Sequence, residues 1–165
     1  MNETYAELVV KRKETAQTML IRVALIVSAV LAFLLTMSNS ILVTIAALYA
    51  ASLFYIIPRL KYEYEYIYCD GQIDFDKIMG KSSRKNSMKV QFEHVVAMAP
   101  KGSHALDGYA HIKTKEKDFT SKDPNKKPYV LIVKNNDSVT KVLFEPNQTI
   151  IDMIKYKYPR IVSQF

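Results

Sequence analysis

The sequence predicts a membrane α-helical hairpin followed by a small, mostly-β domain in which an antiparallel sheet is closed by a C-terminal helix. Three observations carry this. No charged side chain occurs from Val23 to Pro58, a run bracketed by Arg22 and Arg59 and broken by Ser38-Asn39-Ser40. Past Pro58 the hydrophobic period becomes two, as Tyr62, Tyr64, Tyr66 and Tyr68 alternate with Glu63, Glu65, Ile67 and Cys69. Near the end, Glu145-Pro146-Asn147 precedes an apolar stripe of Ile150, Ile151, Ile154 and Tyr158 at helical spacing, and Pro159 stops it.

The uncharged run is too long for one membrane helix and suits two. A hydrocarbon core of about 30 Å takes about 20 helical residues. Splitting at the Ser-Asn-Ser turn gives spans over 19–37 and 41–57. Both are slightly short, which fits if Arg22 snorkels and the neighbouring tyrosines lie among headgroups. Lys11, Arg12, Lys13 and Arg22 precede the first span, and Arg59 and Lys61 follow the second. The positive-inside rule then places both termini in the cytoplasm, as a multi-pass protein of the cell membrane. A cleaved signal peptide fits poorly, because the first span leads straight into a second one. The resulting division is a basic N-terminal arm (1–18), the hairpin (19–58) and a cytosolic domain (61–165).

Small residues supply a packing seam. Ala24, Ser28, Ala32 and Thr36 recur every four residues, and the second span offers Ala46, Ala47, Ala50 and Ala51. Reversal at Asn39 sets Ala32 level with Ala46 and Ser28 with Ala50. Close approach of small residues drives helix association in lipid. The seam is read as intramolecular, with a homodimer as its rival. In the arm, Tyr5, Leu8 and Val9 fall at helical spacing, so a helix is expected there, lying in the interface or running into the first span.

The formal net charge is +7, from 23 Lys/Arg against 16 Asp/Glu. On a tethered domain this suits an anionic lipid surface, and no nucleic-acid partner is expected. The single cysteine, Cys69, allows no internal disulfide, in keeping with a reducing compartment.

Along the domain, Asp70-Gly71 marks a two-residue hairpin turn between strands at Tyr62–Cys69 and Gln72–Met79. The tyrosine row reads as one packed sheet face. Gly80 to Lys89 reads as a flexible loop whose Lys81, Arg84, Lys85 and Lys89 have no neighbouring acid in the chain. These four are the candidate contacts to anionic headgroups or an acidic partner. A strand with a bulge near His94 follows over 90–99, then a loop, a strand over 108–114, and a long mobile loop from Lys115 to Lys127. A last hairpin joins Tyr129–Lys134 to Val139–Phe144.

This layout resembles a pleckstrin-homology-like (PH-like) domain, a bent antiparallel sheet closed at one end by the C-terminal helix. The whole chain is similar to small, uncharacterised bacterial membrane proteins of clostridial type, with a two-span hairpin ahead of a bacterial PH-like domain. The residues that carry the resemblance are Val10-Lys11-Arg12-Lys13, the two spans, Tyr66 to Phe75, and Phe144-Glu145-Pro146 with the helix after it. It implies a fold and a location, and it brings no catalytic residues.

The chain's own residues also give little chemistry. His94, His104 and His111 with one cysteine match no zinc spacing. Ser103, His104 and Asp107 lie in one loop, without the strand-turn-helix setting of a nucleophile. Gly80-Lys81-Ser82 lacks the upstream glycine of a phosphate loop. No catalytic site, metal or cofactor is expected. The function expected is a membrane-anchored, non-enzymatic adaptor that presents its domain to a protein partner or the anionic surface. The alternative is an accessory subunit of a transporter or membrane enzyme, held through its spans.

Overall fold

Hydrophobic period decides the architecture, helical before Pro58 and two-residue after it. The computed structural model describes residues 5–36, 40–80, 83–112, 114–135 and 138–163. The chain divides into a helical unit, residues 13–62 with 79–83, and a strand unit built from the rest.

In the helical unit, α1 spans Ala16–Thr36, and α2 spans Ser40–Ile56 and runs into a 3-10 turn at Ile57–Leu60. The expected turn residues Ser38 and Asn39 lie outside the described residues. At 1.5 Å per residue α1 is about 31 Å long and α2 about 25 Å. Of the two, α1 is long and apolar enough to cross a membrane, and α2 is a shorter apolar helix. One side of α1 is half-buried (Leu25, Ser28, Ala29, Ala32 and Thr36), while on α2 Ala46 and Leu53 are buried. The Ser28 and Tyr49 hydroxyls meet at 3.0 Å, one residue from the expected Ser28–Ala50 level. Ala24 and Ala50 are exposed, so the four-residue spacing drawn through them drifts off the packed side. Four helix hydroxyls donate back to carbonyls of their own helix: Ser28 to Leu25, Thr36 to Ala32, Thr44 to Ser40 and Ser52 to Tyr49. Such bonds leave few polar groups seeking water. At the base of the unit, Arg22 reaches back to Glu14 (2.9 Å), which also holds Lys61 (2.6 Å). Lys61 and then Arg22 keep the Glu14 carboxyl below the usual carboxylate range.

The strand unit contains two four-stranded sheets. The first has the order β1-β2-β3-β4, from Tyr5–Lys11, Tyr62–Cys69, Gln72–Met79 and Ser83–Gln91. The arm residues Tyr5–Lys11 are therefore a strand and not a helix. Ala6, Leu8 and Val10 alternate inward against Tyr68, Tyr66 and Tyr64, and this period of two outweighs the chance helical spacing of Tyr5, Leu8 and Val9. The ladder runs antiparallel from Tyr5↔Cys69 to Lys11↔Glu63. Hence the domain is discontinuous in sequence, and the helical unit is an insertion between two paired strands. The expected loop over 80–89 is mostly β4, whose polar side chains suit an edge strand.

The second sheet has the order β5-β7-β8-β6, from Val95–Pro100, Tyr129–Asn135, Ser138–Phe144 and Thr114–Asp118. β7 pairs antiparallel with β5 and β8, whereas β6 runs parallel to β8. Of the expected strand over 108–114, Gly108 and Tyr109 end a 3-10 segment, His104–Tyr109, a turn follows at Ala110 and His111, and β6 opens only at Thr114. The expected mobile loop contains β6 and a tightly bonded connection. Thr-Lys-Glu-Lys-Asp shows no apolar alternation, so only backbone pairing to β8 makes it a strand. The register shift in β5 lies between Val95 and Ala97, next to the expected bulge.

An aromatic core joins the two sheets. Tyr66 is fully buried, its ring edge-on to Phe75 and Phe144, while Phe75 stacks on Phe119 at 4.5 Å. The Tyr66 hydroxyl donates to the Phe119 carbonyl (2.6 Å). α3, Gln148–Lys157, is capped by Asn147, whose Oδ1 accepts from Ile150 N, and buries Ile150, Ile151 and Ile154. At its end Tyr158 stacks on Phe92, and Lys157 binds Asp70 in the β2–β3 turn. Gly71 in that turn has φ +90°, and a side chain there meets the Tyr158 hydroxyl.

Two outcomes are expected. Gly71→Ala lowers stability by more than about 1 kcal/mol, measured by denaturant unfolding, because it adds positive-φ strain to a clash. A fragment of residues 61–165 leaves the β2 edge unpaired, and its β2 amides exchange hydrogen much faster than in the full chain.

Candidate functional site

The alternation that buries the tyrosines sends every acid of the first sheet to the other face. Glu7, Glu63, Glu65, Asp74 and Asp76 all lie there, opposite the inward Val10, Tyr64, Tyr66, Ile73 and Phe75. β4 supplies their partners. Nη2 of Arg84 donates to Oε1 of Glu65 (2.8 Å) and stands 2.7 Å from its Oε2, Asn86 donates to Asp76 (2.7 Å), and Lys89 pairs with Asp74 (3.4 Å). Two of the four expected contact residues, Arg84 and Lys89, are thus engaged by carboxylates that are distant in sequence. Lys85 is exposed, and Lys81 lies outside the described residues. Glu65 is buried; its burial, and then the nearby Glu7 carboxylate, push its carboxyl above the usual range against the pull of Arg84.

A second charged surface was not legible as a site. It is a concavity of about 300 Å³ beside β6, lined by Lys101, Glu116, Asp118, Lys122, Lys126 and Glu145 among others. Its carboxylates organise the connection after β6. Oε1 of Glu145 accepts from the Ser121 amide (2.9 Å) and hydroxyl (2.8 Å), and Lys126 stands 3.5 Å from Oε2. Asp118 accepts from the Thr120 amide and hydroxyl and pairs with Lys122. Burial raises the Asp118 pKa, but the bonds from Lys122 and Thr120 overcome it and leave it below the usual value. These bonds turn a lysine-rich segment without apolar period into ordered structure. The signal available in sequence was Glu145 beside Pro146, and its partner Ser121 gives no pattern to find it by.

The remaining candidates are dispersed. His104 makes an exposed local pair with Asp107 (3.1 Å), and Ser103 caps the 3-10 turn. Among the described residues, no three His, Cys, Asp or Glu side chains converge as a metal site.

A family model described as a bacterial PH-like domain matches residues 2–164. The chain belongs to the bacterial PH-like domain family DUF6106. The match extends over both units, so the helical insertion lies within the family's span. No curated protein and no solved structure matches the chain. Membership of DUF6106 agrees with the two sheets and the C-terminal helix, and it points to a binding or adaptor module.

The Asp118 bonds give a pH expectation. Because its folded pKa is depressed, its contribution is present above the unfolded value, about 3.9, and is lost as pH falls through the folded pKa. Amide exchange at Thr120, whose N–H Asp118 accepts, should therefore accelerate relative to β7 as pH drops below about 4. Asp118→Asn should remove that acid dependence.

Proposed function

We propose that this DUF6106 chain is a membrane-anchored, non-enzymatic binding protein. Its α1–α2 hairpin spans the bilayer twice and tethers the PH-like domain at the cytosolic face, where it engages a protein partner or the anionic surface. One observation carries the reading, the ladder between β1 and β2. β1 precedes α1 and β2 follows α2, and they pair residue by residue from Tyr5 to Lys11. Paired strands must share a compartment. The chain between them therefore crosses a membrane an even number of times, and if α1 crosses, α2 returns.

Other features support the same reading. α1 has no buried residue and a wholly uncharged surface beyond Arg22, a face that water does not favour. α2 is at the short end of spanning length, and its 3-10 extension carries Arg59 and Lys61 follows. Loss of α1 as a signal peptide would also remove β1, and with it an edge of the first sheet. A non-enzymatic role is favoured because Glu65, Asp74, Asp76, Asp118 and Glu145 are engaged by structural donors and cations.

Topology is the test. With Cys69 replaced by Ser, a cysteine at Asn39 should react with an impermeant maleimide on intact cells, whereas one at Ser163 should react only after permeabilisation. Labelling at Ser163 from outside overturns the reading. So does release of the protein by alkaline carbonate.

A further inference from the structure

On a chain of formal net charge +7, the concavity beside β6 is lined by four carboxylates and three lysines. Glu145 is the most buried of these acids, with 7% of its side chain exposed. Its two oxygens differ. Oε1 accepts from the Ser121 amide and hydroxyl, whereas Oε2 is buried and accepts no hydrogen bond among the described residues. Lys126 stands 3.5 Å from Oε2 without donating to it, and its own side chain remains exposed. We propose that Oε2 of Glu145 is the seat for an arginine side chain of a partner protein, which enters the concavity in place of Lys126.

The acceptor comes first. A buried carboxylate oxygen without a donor is costly, and a charged donor satisfies it better than a neutral one. The Ser121 bonds to Oε1 hold the carboxylate still, so an incoming cation meets a preformed acceptor. Lys126 then shows which charge belongs there. An exposed ammonium that makes no hydrogen bond contributes little, so it is readily exchanged for a better donor. Arginine is the better donor. Its guanidinium is more weakly hydrated than an ammonium, and its fork gives one N–H to Oε2 with others left for the remaining carboxylates of the lining. Shape agrees with charge. Pro124, Pro128 and Leu143 give the concavity apolar wall along which an arginine stem can lie. A volume of about 300 Å³ is at the lower end for binding pockets, room for one side chain. This inference deepens the binding reading by giving the protein partner a chemistry, and it rests on that reading.

The test titrates the full chain, in detergent micelles, with three blocked tripeptides that place arginine, lysine or citrulline between two glycines. Amide chemical shifts are followed by NMR. The arginine peptide should give saturable shifts at Thr120 and Ser121, the lysine peptide should bind more weakly, and the uncharged citrulline peptide should give none. Glu145→Gln keeps an oxygen for Ser121 while replacing the open one by a donor, and should weaken arginine binding by at least about tenfold. Lys126→Gln removes the resident cation and should tighten it by about fivefold. That variant leaves the Glu145–Ser121 bonds in place, so it tests the seat even if Glu145→Gln does not fold. Equal shifts from the citrulline peptide overturn the proposal, as do shifts spread evenly over the acids of the first sheet. Unchanged or weaker binding by Lys126→Gln overturns it too, and equal binding of the lysine peptide overturns the assignment to arginine. Failure of the underlying reading looks different. A chain released by carbonate is not anchored, whatever its peptide shifts, whereas an anchored chain indifferent to the arginine peptide lacks only this seat.

Discussion

A strand on one side of the helical hairpin is hydrogen-bonded to a strand on the other. That ladder, β1 to β2, is the constraint on which the rest depends. A β-hairpin usually closes through two to five residues, and here the closure is an entire helical unit. Closing so long a connection costs conformational entropy that grows only slowly with length. A helix pair with fixed ends lowers the cost further. The Glu14–Arg22–Lys61 ion network joins the entry of that unit to its exit, so the two ends are held together from both sides of the ladder.

From the ladder follows the burial of the tyrosine row. Val10, Leu8 and Ala6 cover β2 on one flank and β3 covers it on the other, which turns Tyr64, Tyr66 and Tyr68 into core. Tyr66 then serves both sheets, its ring among Phe75 and Phe144 and its hydroxyl on the Phe119 carbonyl. A buried phenol needs such a partner, because an unsatisfied hydroxyl costs about 1–3 kcal/mol. Burial raises the Tyr66 pKa far above its ordinary value, so the hydroxyl stays a donor. The same alternation segregates charge, setting the acids of the first sheet and their β4 partners on the face away from the tyrosines.

Where hydrophobic period is strong, sequence and structure agree. The two apolar helices, the β2–β3 hairpin, β7, β8 and α3 all have stripes or alternations that few other folds of the segment could bury. The arm misled because seven residues fit two periods at once, and only a partner strand more than fifty positions away decides between them. β4 and β6 were illegible for a related reason. Their side chains are polar, and what makes them strands is backbone pairing at a sheet edge, which leaves no mark in composition. Charge partners were equally hidden: nothing near Arg84 in the chain announces Glu65, and nothing near Glu145 announces Ser121.

The pairing of β1 with β2 in the native membrane is the central claim, and the chain carries half of its own probe. Tyr5 lies directly opposite the free, exposed Cys69. Antiparallel neighbours stand about 4.5–5.5 Å apart at Cα, within the range a disulfide spans. Mild oxidation of membranes containing Tyr5→Cys should give an intrachain disulfide, seen as a reductant-reversible mobility shift of the monomer. Absence of that bond, or crosslinking only between chains, would contradict the account, because the two strands would then not meet across the hairpin.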